Sequence, residues 1–425
     1  MSVRIINSDA LSALRTLESG SVQAAICSPP YLALRSYLPD GHPDKAKEIG
    51  AEPTPDAFVA ALVGVFAEVA RVLRPDGLLF VNLGDSMSGS GKGPTGRNGL
   101  GDQARRQGFV NQKQGGAVPA KNCLLVPERF ALAMQAAGWI VRSRMPWIKA
   151  NCMPESVRDR PVSAIEWVFM FAKRGAYYWD AEAVRRENST SRPDRIGLVK
   201  RSSEKQIRSR TQGGNGFNPE SESPYGVGGR SFRNSDLFWS HVEAIKAGNG
   251  LLLDEGGDPL ALLVNPKPSG LEHFAAYPDT LVEPLIRAAT SEKGQCPACG
   301  APWRRVVERV STGRGATASG LQDGIHERSS ALSLAQKRQA YRAAGSEGPP
   351  PPATLGWEPS CRCDAGDPVP QVVLDPFAGS FTTSLTAERL GRDSIGIELN
   401  PAYVELGRRR IEGDAPLFAS VEVAS

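Results

Sequence analysis

Val372-Val373-Leu374-Asp375-Pro376-Phe377-Ala378-Gly379-Ser380 is the stretch that decides how this chain is read. Three apolar residues make a short buried strand, which runs into a turn of small residues and then a helix starting near Thr382. Gly379 lets the backbone approach a ligand closely, and the helix N-terminus offers unpaired N–H groups. After Gly391 a second strand, 394–398, ends in an acid. Glu398 lies 19 residues beyond Gly379, about the spacing at which an acid meets a ribose hydroxyl pair in nucleotide-binding βαβ units. A purely structural βαβ unit shares the glycine turn, so the terminal acid is what favours a nucleotide.

The N-terminal part of the chain has the same grammar. Residues 3–6 form a short strand, 11–17 a helix, and 22–27 (VQAAIC) a buried strand ending at Ser28-Pro29-Pro30-Tyr31. A helix is predicted from Pro55 to Leu73, with Thr54 as cap, Pro55 in the first turn and an apolar face of Phe58, Leu62, Phe66, Val69 and Leu73. Arg74-Pro75-Asp76-Gly77 reads as a turn before the strand 78–83. Further on, a helix over 127–137, strands over 139–148 and 165–172 and a helix over 278–290 follow. Strands alternating with helices imply an α/β fold with a parallel sheet covered on both faces.

Ser28-Pro29-Pro30-Tyr31 has a chemistry of its own. An exocyclic base amine is a poor nucleophile because its lone pair is delocalised into the ring. Two acceptors, one per N–H, would free it, and Ser28 Oγ with the Pro29 carbonyl supplies them. Pro29 and Pro30 fix the direction of that carbonyl, and Tyr31 offers an aromatic face to a base taken out of the duplex. Pro-Pro is also common in plain loops, so the tetrapeptide alone leaves that reading open.

Composition narrows the class. The chain has 425 residues, 40% hydrophobic and 23% charged, the profile of an ordinary globular protein. No apolar run is long enough for a membrane span, and the N-terminus lacks a secretory pattern. Seven cysteines without a disulfide-like spacing point to a reducing, cytoplasmic compartment. Net charge is only +4, but residues 192–210 hold seven Lys/Arg against two acids, and residues 90–121 hold six against one. Basic, glycine-rich stretches suit a groove that follows phosphates, and they equally suit solvated loops.

Together these residues resemble the bacterial DNA amino-methyltransferases in their permuted beta order, with the catalytic half first, target recognition next and the cofactor half last. Ser28-Pro29-Pro30-Tyr31 resembles the catalytic tetrapeptide, and 375–380 resembles the cofactor loop. RPDGLLFVNLGD (74–85), WIKANCMPESVRDR (147–160), EWVFMFAKRGAYYWD (166–180) and HFAAYPDTLVEPLIRAATSEKG (273–294) resemble family segments in family order. The resemblance implies a Rossmann-like, seven-stranded S-adenosylmethionine methyltransferase sheet, circularly permuted, with an inserted target-recognition segment. It implies that Ser28, Pro29, Pro30 and Tyr31 are catalytic. It also implies that Asp9, Asp375, Phe377, Gly379, Ser380 and Glu398 hold the cofactor, Asp9 at the adenine and Glu398 at the ribose. The leading serine matches members that modify N4 of cytosine, whereas Asp or Asn accompanies N6 of adenine. Implied partners are double-stranded DNA and a cognate restriction endonuclease, in a bacterial or phage setting, for a monomer or homodimer. Residues 188–233 are the candidate recognition region, 90–121 a candidate closing loop, and Asn82 and Asp85 candidates to bond Ser28 or a base edge.

Two departures stand out. Gly379-Ser380-Phe381-Thr382 replaces the usual Gly-Ser-Gly-Thr, so Phe381 costs backbone freedom and threatens to crowd the cofactor; a DNA-binding protein with an inactive cofactor site is the rival this keeps open. Ile165-Glu166-Trp167 stands where many relatives have His-Glu-Tyr.

The cysteines carry a separate signal. Cys296-Pro297-Ala298-Cys299-Gly300 is a knuckle of the zinc-binding kind, and Cys361 and Cys363 offer two further thiolates. The second pair has one spacer residue, 61 residues separate the two pairs, and loosely packed thiols are the competing reading. Cys27 reads as a small buried residue. The expected organisation is a catalytic half (1–180), a recognition insertion (181–235), a return segment (236–294), a cysteine-bearing insertion (295–370), a cofactor half (371–415) and a tail (416–425).

Overall fold

The computed structural model describes residues 1–32, 36–88, 118–149, 160, 163–184, 262–263, 277–307, 354–364, 366–414 and 420–424. Its strands are β1 (Ser2–Asn7), β2 (Val22–Cys27), β3 (Leu73–Leu83), β4 (Ile140–Ile148), β5 (Ile165–Ala172), β6 (Leu262–Leu263), β7 (Trp303–Val307), β8 (Thr354–Pro359), β9 (Val372–Asp375), β10 (Asp393–Glu398) and β11 (Ser420–Ala424). Its helices are α1 (Ala10–Thr16), α2 (Pro55–Val72), α3 (Val126–Ala136), α4 (Asp279–Ala289), α5 (Thr382–Arg389) and α6 (Pro401–Asp414). Both candidate recognition stretches, 188–233 and nearly all of 90–121, lie outside the described residues, as do Phe232, Phe238 and Trp239.

One sheet runs in the order β11-β1-β10-β9-β2-β3-β5-β4-β6. Its seven central strands, β1 to β4 in that order, are the expected seven, with short edge strands added on either side. Neighbours from β11 to β3 are parallel, and β5 is antiparallel to both β3 and β4. The permutation is visible in the pairing of β2 with β9, where Ala24 faces Val373 and Ala25 faces Leu374. Residues 416–425, expected as a tail, contribute β11, which pairs with β1 from Ser2↔Ser420 to Ile6↔Ala424. The alternating SVEVA sequence finds an open parallel edge there, which local sequence does not reveal.

Burial explains the strand sequences. All six residues of β2 are buried, as a central parallel strand covered on both faces requires. On one face α1, α2 and α3 pack a core that includes Leu14, Phe58, Phe66 and Phe130; on the other, α4 packs against Ile26, Phe80 and Val168. Thr54 caps α2 by accepting from the Ala57 N–H at 3.1 Å, with Pro55 in the first turn as read from sequence. Arg74-Pro75-Asp76-Gly77 departs from expectation: it lies within β3 as an irregularity, because Leu73 pairs with Val22 while Leu78 already pairs with Ala24. A Cβ on Gly77 would sit 2.6 Å from the Gln23 carbonyl oxygen, so only glycine fits that close approach. No helix among the described residues is long and apolar enough to cross a membrane.

Candidate active site

Three strand ends build the site. β9, β2 and β1 come from opposite ends of the chain, yet all are parallel and so deliver their carboxyl ends to one rim of the sheet. Open α/β sheets place ligands at this rim. Ser28-Pro29-Pro30-Tyr31 follows β2, the 375–380 turn follows β9, and Asp9 follows β1.

The turn after β9 is held by its own acid. Asp375 is buried; its carboxylate accepts from the Phe377 N–H at 3.0 Å, from Thr383 Oγ1 at 2.7 Å and from Tyr277 Oη at 2.9 Å. Burial pushes its pKa up to about 6, against the pull of those donors. Phe377 packs its ring edge-on to Phe66 of α2 at 6.4 Å. Gly379 has φ +51, in the left-handed region, and its N–H donates to Glu398 Oε2 at 2.9 Å. Ser380 is buried beside Thr382, and Arg410 of α6 donates to the Ser380 carbonyl at 2.8 Å and Thr382 Oγ1 at 2.9 Å.

Glu398 ends β10 as the spacing predicts. It is buried, pairs with no Lys or Arg among the described residues, and is held by the N–H groups of Gly379 and Asn400. Burial raises its pKa to about 7. Each oxygen keeps acceptor capacity. Asp9 caps α1 through Oδ1, which accepts from the Ser12 N–H at 2.9 Å, while its Oδ2 is buried without a hydrogen-bond partner, 3.7 Å from Lys47 Nζ. A desolvated carboxylate and an orphaned carboxylate oxygen at adjacent strand ends suit a donor-rich ligand such as a nucleoside.

The Ser28-Pro29-Pro30-Tyr31 turn is fastened through its tyrosine. Tyr31 Oη donates to Glu166 Oε2 at 2.6 Å, and Asn82 Nδ2 donates to Tyr31 Oη at 2.9 Å, to Glu166 at 2.9 Å and, at 3.4 Å, to Ser28 Oγ. Lys149 pairs with the same Glu166. A Cβ on Gly84 would lie 2.7 Å from the Tyr31 ring, so the glycine makes room for it. The ring is therefore fixed at both its edge and its hydroxyl. Cys27 is a buried thiol whose pKa is raised by burial and then by Asp375, which makes it a packing residue and no nucleophile.

Two expectations change. Asp85 does not reach Ser28: its carboxylate accepts from the N–H groups of Leu125 (3.0 Å) and Val126 (2.9 Å) and so caps α3. Phe381 does have φ +59, and its ring lies in a buried apolar cluster. It is fully buried with Val3, Ile5, Leu385, Val404 and Ile411, against two glycines. A Cβ on Gly396 would lie 2.6 Å from that ring and one on Gly407 2.0 Å. Glycines in β10 and α6 leave the room that the ring occupies.

The DNA methylase family profile, of the N6/N4 type, matches residues 22–296 and 367–409, most of the chain. The chain belongs to the DNA methylase family. Over 413 residues, 96% of its length, this methylase is 28% identical to the type II methyltransferase M.Cfr9I of Citrobacter freundii, and the match covers 88% of that protein. It is 35% identical over 194 residues to M.SmaI of Serratia marcescens, 46% of this chain and 64% of that one. The solved PvuII DNA methyltransferase (cytosine-N4-specific) overlays with a TM-score of 0.47 and 14% identity, covering 100% of this chain and 96% of that one. That overlay is too loose to carry residues across.

Several residues of the methylase site were not legible in the sequence. Tyr277 and Arg410 reach the turn after β9 from the approach to α4 and from α6. Glu166 had one available signal, a lone acid in an otherwise apolar strand.

Proposed function

We propose that this methylase transfers a methyl group from S-adenosylmethionine to the N4 amine of cytosine in duplex DNA. The observation that carries the reading is the placement of Ser28-Pro29-Pro30-Tyr31 beside the Asp375–Glu398 cradle on adjoining strand ends. S-adenosylmethionine, when bound, supplies an electrophilic methyl group on a sulfonium. Glu398 is suited to the ribose hydroxyls, Asp9 to the adenine end, and Phe377, Gly379 and Ser380 to the remainder, with Asp375 keeping the turn in shape.

Ser28 Oγ and the Pro29 carbonyl accept the two N–H bonds of a flipped base amine, drawing its lone pair out of ring conjugation. Asn82 orients Ser28 by donating to its oxygen, which leaves the serine free to act as acceptor on its outer side. Tyr31, fixed by Glu166 and Asn82, offers a stacking face at a defined angle. The amine loses one proton as it forms its new bond, and that proton leaves to solvent, since Glu166 is engaged with Lys149 and Tyr31. The neutral, short Ser28 favours cytosine over adenine. Pairing with a restriction endonuclease belongs to the same reading.

The deciding experiment is incubation with plasmid DNA and S-adenosylmethionine, digestion to nucleosides and mass spectrometry. N4-methylcytosine is the expected product. N6-methyladenine would overturn the base assignment but keep the mechanism, and no methylated base on varied DNA would overturn the reading.

Glu398 supplies a pH prediction. Its folded pKa, about 7, lies above the ordinary glutamate value. The stability it contributes is therefore present below the ordinary value and lost as pH rises through about 7. Ribose hydroxyls donate to the ionised form, so cofactor affinity runs the other way. Calorimetric titration with S-adenosylhomocysteine should show binding about tenfold weaker at pH 6 than at pH 8, with a plateau above neutrality. Glu398→Gln should bind weakly and without that dependence; an unchanged pH profile would remove Glu398 from the ribose role.

A further inference from the structure

The geometry points to a structural zinc ion held by Cys296, Cys299, Cys361 and Cys363, which clasps the root of the 295–370 insertion to the methylase body. The four Sγ atoms all lie within 4.8 Å of one another, and no disulfide joins them. Tetrahedral Zn–S bonds place sulfurs roughly 3.8 Å apart, so the cluster needs only to contract slightly around an ion. Four soft thiolates with no further protein ligand make a closed site, which is a structural and not a catalytic arrangement.

The backbone around the first pair is folded for ligation. The Cys296 N–H donates to the Ala301 carbonyl at 2.9 Å and the Gly300 N–H to the Cys296 carbonyl at 2.8 Å, turning the chain back on itself. Gly300 has φ +69, and a Cβ there would lie 2.1 Å from Arg74 Nη1. Arg74 in turn donates to the Cys299 carbonyl at 3.2 Å. The knuckle is thus seated on the bulged start of β3.

What the clasp holds explains why a metal is needed. Beyond the knuckle, β7 pairs with β8 alone among the described residues, and residues 308–353 between them lie outside the described part. Among the described residues neither strand contributes to a hydrophobic core, and Leu355 is exposed. A two-stranded hairpin of this kind is marginal in water by itself. At its root, Gln295 and Val369 exchange backbone hydrogen bonds of 2.8 and 2.9 Å, and Arg305 bonds Asp180 (3.0 Å) and Glu292 (2.6 Å). The second cysteine pair arrives directly after β8 and eight residues before the chain enters β9 at Val372, counting from Asp364. Zinc therefore closes the excursion where it rejoins the strand that carries the cofactor turn.

The test is the metal content of the full-length chain after zinc supplementation and dialysis against metal-free buffer, with folding followed by circular dichroism. One zinc per chain is expected, lost in Cys299→Ser/Cys361→Ser. Cobalt substitution of the wild type should give the intense visible bands of tetrahedral thiolate coordination. Absence of stoichiometric zinc in the wild type would overturn the proposal. So would zinc retained in the double variant, or cobalt bands lacking thiolate character. Because the wild-type measurement stands alone, a variant that fails to fold leaves the result decisive. None of these readouts depends on methyl transfer, so the clasp and the proposed activity fail separately.

Discussion

Phe381→Gly restores the usual cofactor-loop glycine, yet it is expected to destabilise the protein by about 1–4 kcal/mol and to give no gain in cofactor binding. The ring is fully buried among Val3, Ile5, Leu385, Val404 and Ile411. Removing a buried Phe side chain costs about 3–5 kcal/mol, mostly as lost burial and an unfilled cavity. Glycine recovers only the expense of a left-handed backbone at φ +59, about 1–2 kcal/mol. Thermal melting should show a fall of roughly 1–5 °C. The compensating glycines give a second arm. A Cβ at Gly407 would meet the ring at 2.0 Å, so Gly407→Ala should be destabilising alone and partly rescued by Phe381→Leu. A Phe381→Gly protein as stable as wild type and binding S-adenosylhomocysteine more tightly would restore the idea that the ring obstructs the site.

Ser28→Ala is expected to lower kcat about 100–1000-fold with little change in melting temperature or in KM for DNA. That is the usual size of effect when one preorganised hydrogen-bonding group is removed from a transition state. The fold loses little, since Ser28 accepts a long bond, 3.4 Å from Asn82, and is not fully buried. Ser28→Thr keeps the hydroxyl and should recover much of the rate. Steady-state kinetics beside thermal melts separate the outcomes. Full turnover by the alanine variant would show that Ser28 is not an acceptor for the amine.

Local structure was legible because its causes are local. The strand of 22–27 shows in its mostly apolar run, interrupted by Gln23, the start of α2 in Thr54-Pro55, and the turn after β9 in Gly379. The acid at Glu398 follows from the fixed length of a βαβ unit. Ser28-Pro29-Pro30-Tyr31 could be singled out as a candidate, because an amine acceptor pair and a stacking ring are close in sequence when one turn provides both. Arg74-Pro75-Asp76-Gly77 shows the limit of local reading. Turn residues sit equally well in a bulge when a neighbouring strand pairs on both sides of it.

By itself, then, the sequence determined the alternation of elements, the two candidate turns and the residue types in them, since periodicity, capping and turn chemistry act over a few neighbours. Tertiary structure alone decided what meets what. Pairing of β2 with β9 brings Ser28 and Asp375 together from opposite ends of the chain. The same packing turns Asp85 into the cap of α3 and recruits Glu166, Tyr277 and Arg410. It directs the Phe381 ring into the gap left by Gly396 and Gly407 and gathers four sulfurs across a long insertion. The physical reason is that a side chain's direction and partners depend on the packing of elements distant in sequence, while its backbone conformation depends mainly on its neighbours.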